Sequence, residues 1–164
     1  MNRKVALSIA FLVMAAMLAT TFSCAQATKP TSVTGVWTFS ATNIIDQKFV
    51  ADGSTEFLTV SDTVTLVGSI TGTGTSARSL TIHNIGPNFW VTSESQFTIS
   101  ASFDGKEGAL FIKSVGNSQN SPDGQWRIIS GTGDLSSLRG QGTFSHISPV
   151  AFSYEGQVHF DPNL

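Results

Sequence analysis

The chain has 164 residues, only 12 % of them charged, and its 15 glycines stand among abundant Thr and Ser. A helical bundle needs Ala, Glu, Lys and Leu in quantity, so this composition excludes one and suits a β protein with a hydroxyl-rich exposed face. With Arg3 and Lys4 set aside, 7 of the 9 basic residues remain against 11 acidic ones, a net charge of −4. The remaining basic residues are scattered, which leaves no footprint for nucleic acid or an anionic membrane.

Met1 to Lys4 are a basic start, Val5 to Phe22 an uncharged apolar run, and Ala25-Gln26-Ala27 a small-x-small pattern. This combination predicts a secretory signal peptide over residues 1–27, cut after Ala27, and a secreted, periplasmic or cell-envelope protein with no membrane segment after cleavage. The run is near the lower limit of a bilayer span, so an uncleaved anchor is the alternative. Cys24 is the single cysteine. A lipid anchor through it is a further alternative, although Thr21 and Phe22 fit a lipoprotein site poorly. Cleavage leaves no disulfide framework, so core burial and sheet hydrogen bonds must hold the domain together.

Residues 28–32 read as a polar leader, and residues 33–164 as one domain. Val33 to Asn43 is a first strand with Trp37 and Phe39 on one face, and Ile44 to Gly53 is less regular. Glu56 to Thr71 holds the longest alternation, with Val64, Leu66, Gly68 and Ile70 on one side, continuing into Thr71 to Thr75. Ser79 to Ile85 is a short strand, followed by a turn at Gly86 to Asn88. Phe97, Ile99, Ala101 and Phe103 alternate with Thr98, Ser100 and Ser102. Asp104-Gly105 is a hairpin signal, and Gly108 to Val115 is the returning partner. Gln125 to Ile129 leads into the glycine-punctuated stretch Ser130 to Phe144, where Leu135 and Leu138 suit a short helical turn that plugs the end of a sheet or barrel. Gly142 to Ile147 and Phe152 to Phe160 complete about eight strands, the spacing of a sandwich or barrel.

Asp123 to Phe144, with Trp126, Gly131, Thr132, Gly133, Leu135, Leu138 and Gly140, resembles the closing region of the allene-oxide-cyclase-barrel-like family, distant relatives of plant dirigent proteins. Phe103 to Leu110 is similar to that family's hairpin, Thr63 to Thr75 to an earlier strand, and Tyr154 to Phe160 to its terminal strand. The resemblance covers most of residues 33–160. It implies an all-β fold, a single small antiparallel barrel with an interior cavity, and a homo-oligomer, dimer or trimer. The family tends to carry a Glu before the hairpin and Gln-His after it, where this chain has Phe97 and Lys113-Ser114. Inherited acid–base catalysis is therefore unsupported.

His83, His146 and His159 show no paired spacing, so neither metal nor cofactor is expected. Ser136 and Ser137 lie outside a Gly-x-Ser-x-Gly elbow, and the glycine stretch lacks both the Lys-Ser/Thr of a phosphate loop and the third Gly of a dinucleotide fingerprint. No catalytic residue is assigned. The candidate ligand contacts are Trp90, Glu94, Arg127, Arg139, His146 and Glu155. Facing inward, Glu94, Arg127, His146 and Glu155 would be convergent polar groups in an apolar cavity; facing outward, each is an ordinary solvated side chain. Arg139 either grips a carboxylate at the barrel mouth with its forked guanidinium or bonds to carbonyls or Asp134. The function expected is binding of a small hydrophobic or amphipathic molecule inside the barrel. The alternatives are a cyclase or isomerase that guides its intermediate sterically, and a structural self-associating barrel.

Overall fold

The computed structural model describes residues 28–50, 52–85 and 87–162. The signal peptide expected over residues 1–27, and Cys24 within it, lie outside them. Eight strands follow in order: β1 (Thr31–Phe49), β2 (Thr55–Gly68), β3 (Thr71–Ile85), β4 (Asn88–Phe103), β5 (Lys106–Asn117), β6 (Gly124–Gly131), β7 (Leu138–Ser148) and β8 (Ala151–Phe160). Each pairs with its sequence neighbours, and β8 closes antiparallel on β1 from Thr31↔Val158 to Thr38↔Ala151. The all-β, single-barrel expectation holds.

Alternation puts the core inside. In β4, Ser95, Phe97, Ile99, Ala101 and Phe103 are buried, while Glu94, Gln96, Thr98 and Ser100 face solvent. Phe97, Ile99, Ala101 and Phe103 join Trp37, Phe39, Val64, Leu66, Leu110 and Ile112 in one apolar cluster. Each fully buried Val, Leu, Ile or Phe side chain contributes roughly 1.5–3 kcal/mol.

Aromatic rings lie flat on glycine. A Cβ on Gly142 or Gly156 would stand 2.7 or 2.6 Å from the Trp126 ring and would also strike a backbone carbonyl across the sheet. Trp126 Nε1 donates to the carbonyls of Thr143 and Glu155, both at 3.1 Å. Tyr154 lies over Gly35 in the same way. Its hydroxyl accepts from Ile70 N and donates to Ile70 O, and burial pushes its pKa up.

Two strand limits differ from the sequence reading. The alternation from Glu56 to Thr75 is a hairpin rather than one strand: β2 stops at Gly68, and Thr73 and Thr75 pair back onto Thr65 and Thr63. Gly68, at φ +136°, permits the reversal. A two-residue link leaves the inward parity unchanged from Leu66 to its partner Gly72, so no break in the pattern marks it. Second, Ile44 onward is strand. β1 runs to Phe49 through register shifts at Ser40/Asn43 and Ile44/Asp46, and such bulges scramble a period of two.

The glycine stretch behaves as expected. Gly133–Leu135 forms one 3-10 turn, and Leu135 and Leu138, both 0 % exposed, plug that end of the barrel. Gly108 and Gly131 lie so close beneath the turn that a Cβ on either would meet the carbonyl of Thr132 or Leu135.

Candidate functional site

Among the described residues, the other end of the barrel has no such plug. β8 pairs with β1 only as far as Thr38, and β5 pairs with β4 only as far as Thr92, so the outer parts of β1 to β4 project beyond β5 to β8. Register places Ile44, Phe49, Leu58, Leu80, Ile82, Phe89 and Val91 on the inward-facing side of this overhang. Ile44, Phe49 and Phe89 are 61 %, 63 % and 66 % exposed, an apolar face left open among the described residues.

Beneath the overhang lies a polar layer. Arg78 of β3 faces Ser95 of β4, which faces Ser114 of β5, while Asp62 of β2 faces Ser76. Asp62, Ser76, Ser95 and Ser114 are all buried. Arg78 holds Asp62 with both prongs of its fork, Nε to Oδ2 at 2.6 Å and Nη2 to Oδ1 at 2.9 Å. Thr42 and Ser76 donate to the same carboxylate. The guanidinium also sits 4.1 Å over the Phe39 ring. Burial alone would raise the Asp62 pKa. The bonds from Arg78 and Thr42, the Arg78 charge and the Ser76 bond outweigh it and hold the carboxyl below its ordinary value.

A small pocket of about 30 Å³ adjoins this layer, lined by Trp37, Arg78, Ser93, Ser95 and Ser114 with the rings of Phe39, Phe97, Phe144 and Phe152. Trp37 Nε1 is buried without a hydrogen-bond partner. An indole N–H can only donate, so the site offers a donor to an incoming acceptor. The layer is poorly equipped for proton transfer. Asp62 already accepts from four donor atoms, and the Tyr154 hydroxyl is engaged at Ile70. Among the described residues, no group of three or more His, Cys, Asp or Glu is placed to hold a metal ion.

Of the residues singled out from sequence, only His146 borders this site, its ring 6.4 Å from that of Phe152 in the pocket wall; the others lie elsewhere. Glu94, Arg127, Arg139 and Glu155 alternate with inward neighbours and stand on the outer wall. Trp90 stacks on His83 at 4.5 Å on the outside of the overhang. His146, which is exposed, approaches Asp123 through Nδ1 at 3.2 Å. The convergent inward arrangement weighed for Glu94, Arg127, His146 and Glu155 therefore does not form. Arg127 and Arg139 do come together, along an outer groove of about 530 Å³ shared with Gln141, Gln157 and His159. Arg139 Nη1 donates to the carbonyls of Ser136 and Leu138, the carbonyl role considered for it.

The interior set of Asp62, Arg78, Ser76, Ser95, Ser114 and Trp37 was missed. One signal was available: Asp62 has the same parity as Val64 and Leu66, which puts a carboxylate on an apolar face. Arg78 extends the parity of Gly72, Gly74 and Ser76, but the hairpin at Gly68 had to be recognised before the two faces could be joined.

No curated protein matches the chain. A crystal structure of a protein of unknown function from the DUF3224 family, from Shewanella oneidensis MR-1, is similar, with a TM-score of 0.61 and 16 % identity over 82 % of this chain and 99 % of that one. That likeness supports the fold. The family described as protein of unknown function (DUF3224) matches residues 33–155, three-quarters of the chain, and the chain belongs to that family.

Proposed function

We propose that this chain is an exported barrel that holds a small amphipathic molecule at its unplugged end. The apolar body lies against the overhang, and an acceptor-bearing head reaches the polar layer beneath. The observation that carries this reading is the partnerless Trp37 N–H, in a site lined by Arg78 and serine hydroxyls and overhung by an open apolar face. The pocket of about 30 Å³ is far below the roughly 300–1,000 Å³ of a drug-sized pocket, so the body of the ligand stays at the mouth. A head of one or two heavy atoms, a carbonyl, carboxylate or hydroxyl oxygen, suits the cavity. Export rests on the basic start, apolar run and Ala25-Gln26-Ala27 pattern. We further take the kinship with allene-oxide-cyclase-barrel-like proteins, carried by Trp126 and Gly131 to Gly140, as support for a ligand-holding barrel.

Titration of the purified protein with a fluorescent fatty acid tests the reading. Saturable binding is expected, with Leu80→Glu abolishing it. Trp37→Phe should weaken it by about 2- to 10-fold, the worth of one neutral hydrogen bond. No saturation, or saturation indifferent to Leu80→Glu, would overturn the proposal.

A further inference from the structure

We propose that two copies of the chain join edge to edge along the overhanging half of β1, as an antiparallel pair centred on Gln47. Beyond Phe39, whose N–H donates to Val150 O, β1 has a strand partner on one side only. Its residues from Ser40 to Phe49 are all exposed, and Ile45 and Phe49 are 64 % and 63 % exposed. An exposed edge with apolar side chains is a template for another strand. On the overhang's opposite edge the peptide groups of Val91 are already engaged, its N–H donating to Ser118 Oγ and its carbonyl accepting from Ser118 N.

Backbone direction and charge together select the partner and the register. Val50 N–H donates inward to Thr55 O across the β1–β2 hairpin. Alternation along an antiparallel strand then turns the peptide groups of Phe49 and Gln47 toward the open edge, as far as the register shift between Ile44 and Asp46. A second copy centred on Gln47 presents the same Gln47 groups in return. Gln47 then meets Gln47 as a hydrogen-bonded pair. The pairs on either side of it place Asp46 opposite Lys48 twice, in the closer non-hydrogen-bonded positions where cross-strand charges interact most strongly. Asp46 and Lys48 share one face of the strand, Nζ to Oδ2 at 2.9 Å, so both are presented together.

Sliding the copy by one residue on each strand sets Asp46 against Asp46 or Lys48 against Lys48. Like charges directly opposite are destabilising, so these neighbouring registers are rejected. The bulges before Asp46 leave only this short straight segment to pair, and a two-fold pair consumes both edges and stops. The two overhangs would then form one sheet, with their apolar inner faces on the same side.

Sedimentation equilibrium of the purified protein at micromolar concentration should give twice the monomer mass. Lys48→Asp should give a monomer with unchanged far-UV circular dichroism, and Asp46→Lys with Lys48→Asp should restore the dimer. In a Cys24→Ser background, Gln47→Cys should form a disulfide-linked dimer under mild oxidation. The hydrogen-bonded pair sets its Cα atoms about 5.5 Å apart, within disulfide range. A monomeric natural protein, a dimer that survives Lys48→Asp, or a charge swap that folds yet fails to pair would each overturn the proposal.

Discussion

Asp62 and Arg78 set the sharpest dependence on a single residue. Asp62→Ala would leave the Arg78 guanidinium, with 15 % of its side chain exposed, without its carboxylate. Removing one partner of a buried pair costs roughly 3–5 kcal/mol, and chemical denaturation should show a loss of that order. Asp62→Leu combined with Arg78→Met should recover most of it, since replacing both partners with apolar groups removes the unpaired charge. The same pair sets a pH dependence. The Asp62 pKa is depressed in the folded chain, so its contribution is complete above the unfolded carboxylate value of about 3.9 and is lost as pH falls through the lower folded value. Melting temperature measured from neutral pH down through this range should fall less steeply in Asp62→Asn than in the natural protein. Tyr154 acts at the other limit. Its raised pKa makes its contribution whole below about pH 10 and lost as pH rises through the folded value, a loss absent from Tyr154→Phe.

Among the elements, β6 to β8 and the 3-10 turn form the plugged end, and their glycines are structural. Gly142→Ala drives a Cβ into both the Trp126 ring and the carbonyl of Glu155. Overpacking costs about 1–3 kcal/mol, and trimming Trp126 should not rescue it, because the backbone contact remains. Leu138→Ala empties a position that is 0 % exposed and should cost roughly 2–5 kcal/mol in the same denaturation assay. The overhang has no such plug. Its inner side chains Ile44, Phe49 and Phe89 remain largely exposed, which is why the ligand and self-association readings both fall on β1 to β4.

For the whole molecule, closure of β8 on β1 pairs the central part of every strand and leaves strand ends without a second partner, the longest of them the outer half of β1. Hydrogen exchange should reflect this. Amides of Phe97, Ile99, Leu110 and Ile112 should exchange slowest, since they lie in the packed centre. That of Gln47 should be protected at concentrations where the dimer forms and exchange rapidly on dilution. Equal, rapid exchange at both concentrations would mean that the edge stays unpaired.

Much of this was legible in residues 33–164 alone. Alternation marked the inward faces of β1, β4 and β5, Asp104-Gly105 marked a hairpin whose residues both have positive φ, and Leu135 with Leu138 marked the plug. These features are local: a period of two and a turn residue act within a few positions of chain. The hairpin at Gly68 and the bulged run from Ile44 to Phe49 were hidden, the first because it preserves parity and the second because it breaks it. The polar layer was hidden for a different reason. Asp62 and Arg78 are 16 residues apart, and Trp37 joins Ser93, Ser95 and Ser114 around one cavity from separate strands. Only the register of the closed sheet brings them together. Composition and alternation determined a hydroxyl-faced all-β domain, sandwich or barrel, because burial and pleat act on each strand by itself. The tertiary structure decided which polar residues meet inside it and which strand edge stays open, because both depend on how far each strand outruns its neighbours.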